Sequence, residues 1–486
     1  VTRHVEIQGP CNVTADGTAL LVNTTLKFAA TARLDGKLSV KGMNALQGPC
    51  LAFKNDAFVA ASAELHFTNC HNIAQRQARI IPDDDIRDNY DENLHWDFDL
   101  MQINALDAEA AEVDGGAMNV RGNLMVMGTL IIRDCRTKDG KGGAIAVKQD
   151  FFHSNGSISI SNSSAWRNGG AIYVNQNFHH SGGNISVEGS SAKWHGGAIY
   201  VEQSFNHSGG SISVEGTSAG NGGAIFVWKN FTQSGGSLAV TNSSALYDGG
   251  GLYVGGHVVF TNAMATFSQC HAGREGGGIN TLGNVSITNA SLSFELATTD
   301  GGGAALLADA LEQVGGRMTV YNSSASGASG AVIDAKAWAI DGGSFRIEIC
   351  TSKSFLIAAK LASLRATSFD VADCSAAGML VSSSEVLLRN SVFNKTSLPQ
   401  VRAPVVDVSN CNITGSEAWI SAEKAIVKDI DCDVAFAAYY DEGHGLGCKS
   451  CEPGTLFVKN STTNTIGSTI QRCVPCPDGA KICNAT

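Results

Sequence analysis

Three histidines recur at one regular interval: His153, His180 and His207. Three imidazoles sharing a register could offer neutral ring nitrogens to a transition metal. The series continues at Gln233, however, and an amide suits a ladder of hydrogen-bonded polar side chains better than a ligand set, so no metal is expected there. Asp83, Asp85, Asp88 and Asp91 supply hard oxygens for Ca²⁺, although the stretch lacks the glycine and closing glutamate of an EF-hand loop. They belong to an acidic segment, Arg76 to Asp114, with 12 Asp or Glu against 3 Arg (net −9), whereas the rest of the chain sums to −2. Its plain reading is a solvated excursion; the alternative is a cap or a contact with a basic neighbour. Polysaccharide cleavage would need paired carboxylates, or Ca²⁺-binding Asp beside Arg or Lys. In the regular part of the chain the pair Glu188 and Glu215 alone reads as sharing a register, each followed by a turn glycine. No nucleophile elbow, phosphate loop or dinucleotide fingerprint occurs. The expectation is a protein that is not an enzyme and has no cofactor beyond glycans and a possible Ca²⁺.

Modification chemistry is more prominent. The 33 Asn include 15 followed two positions later by Ser or Thr, where chance would give about five. They are Asn12, Asn23, Asn155, Asn162, Asn184, Asn206, Asn230, Asn242, Asn284, Asn289, Asn322, Asn394, Asn412, Asn460 and Asn484. That excess points to a eukaryotic N-glycoprotein outside the cytosol. Of 14 Cys, six crowd into the C-terminal stretch, Cys432, Cys448, Cys451, Cys473, Cys476 and Cys483, a density suited to disulfides in an oxidising compartment. Cys350 and Cys374, separated by close to the interval of the histidines, are candidates for a further bridge. Cys135 and Cys270 are expected to be free, as buried small residues in the register of Ser163.

What must position these residues is a repeat. Gly-Gly-Ala-Met begins at Gly115, Gly-Gly-Ala-Ile at Gly142, Gly169, Gly196 and Gly222, Gly-Gly-Gly-Leu at Gly249, Gly-Gly-Gly-Ile at Gly276 and Gly-Gly-Gly-Ala at Gly301, with a degenerate Ser-Gly-Ala-Val at Ser329. A fixed period of about 27 residues signals a solenoid or an array. Within one unit, Ile172 and Val174, Phe178, and Ile185 and Val187 alternate with polar residues in short runs, which is strand spacing. No stretch has helical spacing, and the unit is too short for a propeller blade, which takes about 40 residues. The unit therefore reads as one three-strand coil of a right-handed parallel β-helix, with like residues stacked at ~4.8 Å. Val201 then reads as core and Ser190 as a turn position. By strand alternation Tyr173, Tyr200, Phe226 and Tyr253 read as an outward aromatic stripe, a surface for a partner. Asn162, Asn242 and Asn322 suit left-handed bends at strand ends.

The repeated Gly-Gly-Ala-Ile, with the tetrads Phe67-Thr-Asn-Cys70 and Phe267-Ser-Gln-Cys270, resembles the polymorphic outer-membrane protein family. That resemblance covers about residues 115–332 and implies a β-helical surface segment, although the membrane-anchoring barrel of that family is missing and the sequons are eukaryotic in type. Cys448-x-x-Cys451-Glu-Pro-Gly followed by Cys473-x-x-Cys476-Pro-Asp-Gly resembles the Cys-rich module of ephrin-receptor-like ectodomains, which implies a disulfide-stapled tail. The same spacing could hold zinc, but the Asn460 sequon between the pairs speaks for an oxidising compartment. The combination looks like surface or matrix proteins of protists and algae.

The expected architecture is all-β: a parallel β-helix of about 16 coils over residues 1–440, with 76–114 as the acidic excursion and 115–332 as the regular part, and a small disulfide-rich module over 441–486. The net charge of −11 argues against nucleic acid as a partner, and no run of 18 apolar residues offers a membrane span. The chain opens on Val1, which suggests a removed leader. The leading functional expectation is an extracellular structural glycoprotein, a subunit of a filament, hair or wall layer whose partners are itself or related surface proteins. An adhesin or glycan-binding rod is the alternative, and a polysaccharide lyase or hydrolase the third reading.

Overall fold

A computed structural model describes residues 51–72 and 114–359 with few gaps, together with strand backbone between 3–41 and 360–475. Asp83, Asp85, Asp88 and Asp91, the sequons at Asn12, Asn23, Asn394, Asn412, Asn460 and Asn484, and Cys432, Cys448, Cys451, Cys473, Cys476 and Cys483 lie outside the side chains described. The chain forms a parallel β-solenoid with about nine regular coils of about 27 residues. Every described element is a strand, and no helix long and apolar enough to cross a membrane is present among the described residues.

One coil shows how the sequence builds the rest. Its strands are Ile172–Val174, Phe178–His180, Asn184–Glu188 and Ser191–Ala192. Each pairs in parallel with its counterpart one coil on, so that Ile172 lies on Ile199, Phe178 on Phe205, Ile185 on Ile212 and Ser191 on Ser218. The two-residue fourth strand was not part of the three-strand expectation; its copies form a separate ten-stranded sheet. Ile172, Val174, Phe178, Ile185 and Val187 point inward and are at most 1% exposed. Burying each such side chain contributes ~1.5–3 kcal/mol. The phenylalanines form a column, with Phe151–Phe178 and Phe178–Phe205 both 4.6 Å between centroids.

The two glycines of each Gly-Gly serve different ends. Gly169 has φ +67°, a left-handed turn that an L side chain rarely adopts. Gly170 has no such φ, but a Cβ there would run into the carbonyl oxygen of Gly197 on the next coil. At the corner between the third and fourth strands the left-handed conformation recurs at Asn162 (φ 53°), Gly189 (58°), Gly216 (62°), Asn242 (50°) and Asn322 (46°), as the asparagines suggested. Toward the C-terminal coils the motif and the register part company. Ile279 pairs with Leu306 and Leu306 with Ile333, so Gly303 and Gly330, rather than Gly301 and Ser329, hold the place of Gly276, and the interval of the earlier coils is kept.

Candidate functional site

The first strand is buried along its whole length in most coils, Met118–Val120, Ile145–Val147, Ile172–Val174, Ile199–Val201 and Ile225–Val227 among them, which alternation alone does not predict. Tyr173, Tyr200 and Phe226 are 0%, 4% and 2% exposed, and Tyr253 is half-buried. They point away from the main core and form a second cluster with Ala146, flanked by Trp228, with successive rings 5.4, 5.1 and 4.8 Å apart. The expectation of an open stripe is therefore corrected: these rings face outward, but Tyr173, Tyr200 and Phe226 are covered and Tyr253 alone is partly open. The segment between the fourth strand and Gly-Gly folds back over them. From it, His195 stacks on Phe226 at 4.7 Å, and Lys141 donates to the Tyr173 hydroxyl at 2.8 Å while lying over its ring. The Tyr173 hydroxyl donates to Asn175 Oδ1 at 2.9 Å. Burial, reinforced by Glu202, pushes the Tyr173 and Tyr200 phenols far above their usual range. Burial alone would raise the Asp114 pKa, but Lys148, which donates to its carboxylate, and Lys141 hold it low. Burial presses His195 down to about 4.

His153, His180 and His207 do share one register, followed by Gln233, and are at most 1% exposed. The His153 and His180 rings stack 5.0 Å apart within 5° of parallel, and His207 lies 4.8 Å from His180, tilted by 36°. Among the described residues no group of three or more His, Cys, Asp or Glu could hold a metal ion. Burial lowers His153 to about 4 and His180 to about 3, the latter also repelled by its neighbours, and lowers His207 as well. The Gln233 amide nitrogen donates to the carbonyls of Gly236 (3.3 Å) and Met264 (3.0 Å), while its Oε1 has no hydrogen-bond partner.

Glu188 and Glu215 pair across coils and are exposed, but a second carboxylate pair escaped the sequence reading. Asp248 bridges in register to Glu275 on the next coil. Arg274 clamps the Asp248 carboxylate with two donors, and burial together with Asp248 raises the Glu275 pKa. The sign in the sequence was that each acid directly precedes a Gly-Gly, at Asp248-Gly249-Gly250 and Glu275-Gly276-Gly277. With Asp248 6% exposed and paired to Arg274, this cluster is an ion-pair network rather than an open acid–base pair.

Three further aromatics lie just before the fold-back residues of their coils. Trp166 and Tyr247 are 48% and 47% exposed, and Trp194 is half-buried. Each has a cation from a neighbouring coil beside its ring: Lys193 over Trp166 at 3.9 Å, Arg167 over Trp194 at 5.3 Å and Arg274 over Tyr247 at 6.0 Å.

The sequon asparagines Asn155, Asn162, Asn184, Asn230, Asn242, Asn284, Asn289 and Asn322 are exposed, and Asn206 is half-buried. Cys135, Cys270 and Cys350 are free thiols, and all three occupy the buried register of Ser163. Cys350 and Cys374 are neighbours that form no disulfide: the Cys350 amide donates to Cys374 Sγ at 3.2 Å, and the Cys350 thiol to the Glu348 carbonyl at 3.3 Å. Cys70, the tetrad cysteine, is disulfide-bonded. In comparisons with known proteins, no family model, curated protein or solved structure matches this chain.

Proposed function

We propose that the chain is a non-catalytic, N-glycosylated extracellular rod, a structural subunit that associates with copies of itself or related surface proteins in a filament or wall layer. The observation that carries this reading is the placement of the sequons: eight of the nine with described side chains hold their Asn on the exposed surface, where a glycan displaces no packing. The interior is filled by ladder side chains, and the Asp248 carboxylate of the Asp248–Glu275 pair is engaged by Arg274. Stacked coils also leave unpaired strand edges at both ends of a rod, which favour end-to-end association unless capped. Glycopeptide mass spectrometry of the native protein should find Asn162, Asn184, Asn230, Asn242 and Asn322 occupied, and electron microscopy of native material should show filaments. Bare sequons together with dispersed particles would remove the proposal. The reading as a glycan-binding rod is favoured by the Trp166–Lys193 and Trp194–Arg167 pairs at the surface.

A further inference from the structure

Solvent-exposed tryptophans need an explanation that buried ones do not. Trp166 and Trp194 follow the fourth strands Ser164–Ala165 and Ser191–Ala192, whose pairing sets Trp166 level with Lys193 on the next coil. Toward the N-terminal side the pairing of Arg136 with Ser164 brings Lys138 level with Trp166. On these three stretches, 136–139, 164–167 and 191–194, there are four cations and one acid, Asp139, in a chain whose net charge is −11. Lys138 and Lys193 are exposed. The rings do not merge into one apolar patch: Lys193 and Arg167 lie beside Trp166 and Trp194, and Gly220 stands on the coil between Trp194 and Tyr247. Beside them the fourth strands present a row of hydroxyls, Ser164, Ser191, Ser218 and Ser244, at one register. On the following coil Gly220 takes the place of a side chain, because a Cβ there would meet the Trp194 carbonyl; beyond that notch stands Tyr247.

A protein partner would be expected to find a continuous apolar centre excluding water, and this edge has none. Flat rings in half-open positions, one cation beside each ring and a row of hydroxyls fit a hydroxyl-rich, flat-faced polymer with about one negative charge per ring. We propose that this edge binds an acidic polysaccharide of the carboxylated, uronate type, with sugar faces on Trp166, Trp194 and Tyr247 and carboxylates at Lys193, Arg167 and Lys138. The cationic end is at Trp166, since Arg274 beside Tyr247 is engaged by Asp248. This goes beyond the structural role and holds whether or not rods associate.

The test uses the full glycosylated chain and an oligogalacturonate, with binding followed by calorimetry at two salt concentrations and the fully methyl-esterified oligomer as the neutral counterpart. The native protein should bind the acid form, and the ester about tenfold or more weakly. Trp166→Ala should weaken binding about tenfold. Lys193→Gln should weaken it less and flatten its salt dependence. Trp166, Tyr247 and Lys193 are solvent-exposed, so an unchanged thermal midpoint will show that the variants keep their fold. Absence of binding by the native protein, equal affinity for acid and ester, or full affinity in Trp166→Ala with Tyr247→Ala would each overturn the proposal. So would tighter, Trp166-dependent binding of a single-stranded oligonucleotide, which would assign the edge to nucleic acid instead. Because binding is read in solution on dispersed rods, its failure leaves the filament test unaffected.

Discussion

Val201 and Ser190 look like opposites in the sequence, an apolar rung and a turn hydroxyl, yet they are 0% and 1% exposed. The Ser190 hydroxyl accepts the Ser163 amide at 3.3 Å and donates to the Glu188 carbonyl at 3.3 Å. Serine was read as a turn because short polar residues favour turns, a preference that says nothing about which side of the wall they face. We therefore expect Val201→Asp to cost about 4 kcal/mol and Ser190→Asp about 2–4 kcal/mol, whereas Ser186→Asp, on an exposed position of the third strand, should change stability by less than about 0.5 kcal/mol. Thermal or denaturant unfolding will check all three. The histidine ladder supplies a pH dependence. Because His153 and His180 titrate at about 4 and about 3 in the fold against ~6.5 when unfolded, the unfolded chain takes up protons first as pH falls. Stability is thus full above pH ~6.5 and is lost progressively toward pH ~4 for His153 and ~3 for His180, by about 2 kcal/mol per ring at pH ~5. Replacing His207 by Gln, the residue the ladder already uses one coil on, should flatten the fall in thermal midpoint between pH 7 and 5; an equal slope in both proteins would contradict it.

At the level of the coil, the register was legible because identical rungs repeat: Ile172 on Ile199 and Val174 on Val201 pair as read. The fold-back segment was not legible, since its successive residues Lys141, Asn168, His195, Asn221, Asp248 and Glu275 change chemical type from coil to coil and give no periodic signal. Its invisibility explains both misreadings at the site: the aromatic rings beneath it were taken for surface, and the Asp248–Glu275 neighbours within it went unseen. Trp166 and Trp194 were missed for a related reason: their registers differ by one residue, so no column of like rings shows in the alignment of repeats. The glycines allow a sharp comparison between space and dihedral. Gly170→Ala forces a methyl into the backbone of the adjacent coil and should cost about 3 kcal/mol or more. Gly216→Asn faces open space, its nearest neighbour atom being the Gly189 amide at 3.9 Å. It also enters a register where Asn162 and Asn242 already hold positive φ, so the cost should stay within about 1 kcal/mol. Comparable losses in the two variants would show that a positive φ at Gly216 costs as much as the close approach at Gly170.

At the scale of the whole molecule, the described coils pair strand by strand with their neighbours, so stability is close to a sum of coil and interface contributions rather than the property of one core. Denaturation should then show more than one transition by different probes. The net −9 of the acidic segment leaves the rest of the chain at −2, so salt should alter the stability of the solenoid little while screening any contact made by that segment. The buried thiols offer a way to watch such a structure from within. Cys135 and Cys270 are both 0% exposed, and burial drives both thiols up to about 12, so alkylating reagents react with them only when the local wall parts. They stand five coils apart along one column, and each therefore times the opening of its own neighbourhood, without any introduced label. Equal alkylation rates would mean that the spine opens as a whole, and unequal rates that it breathes rung by rung.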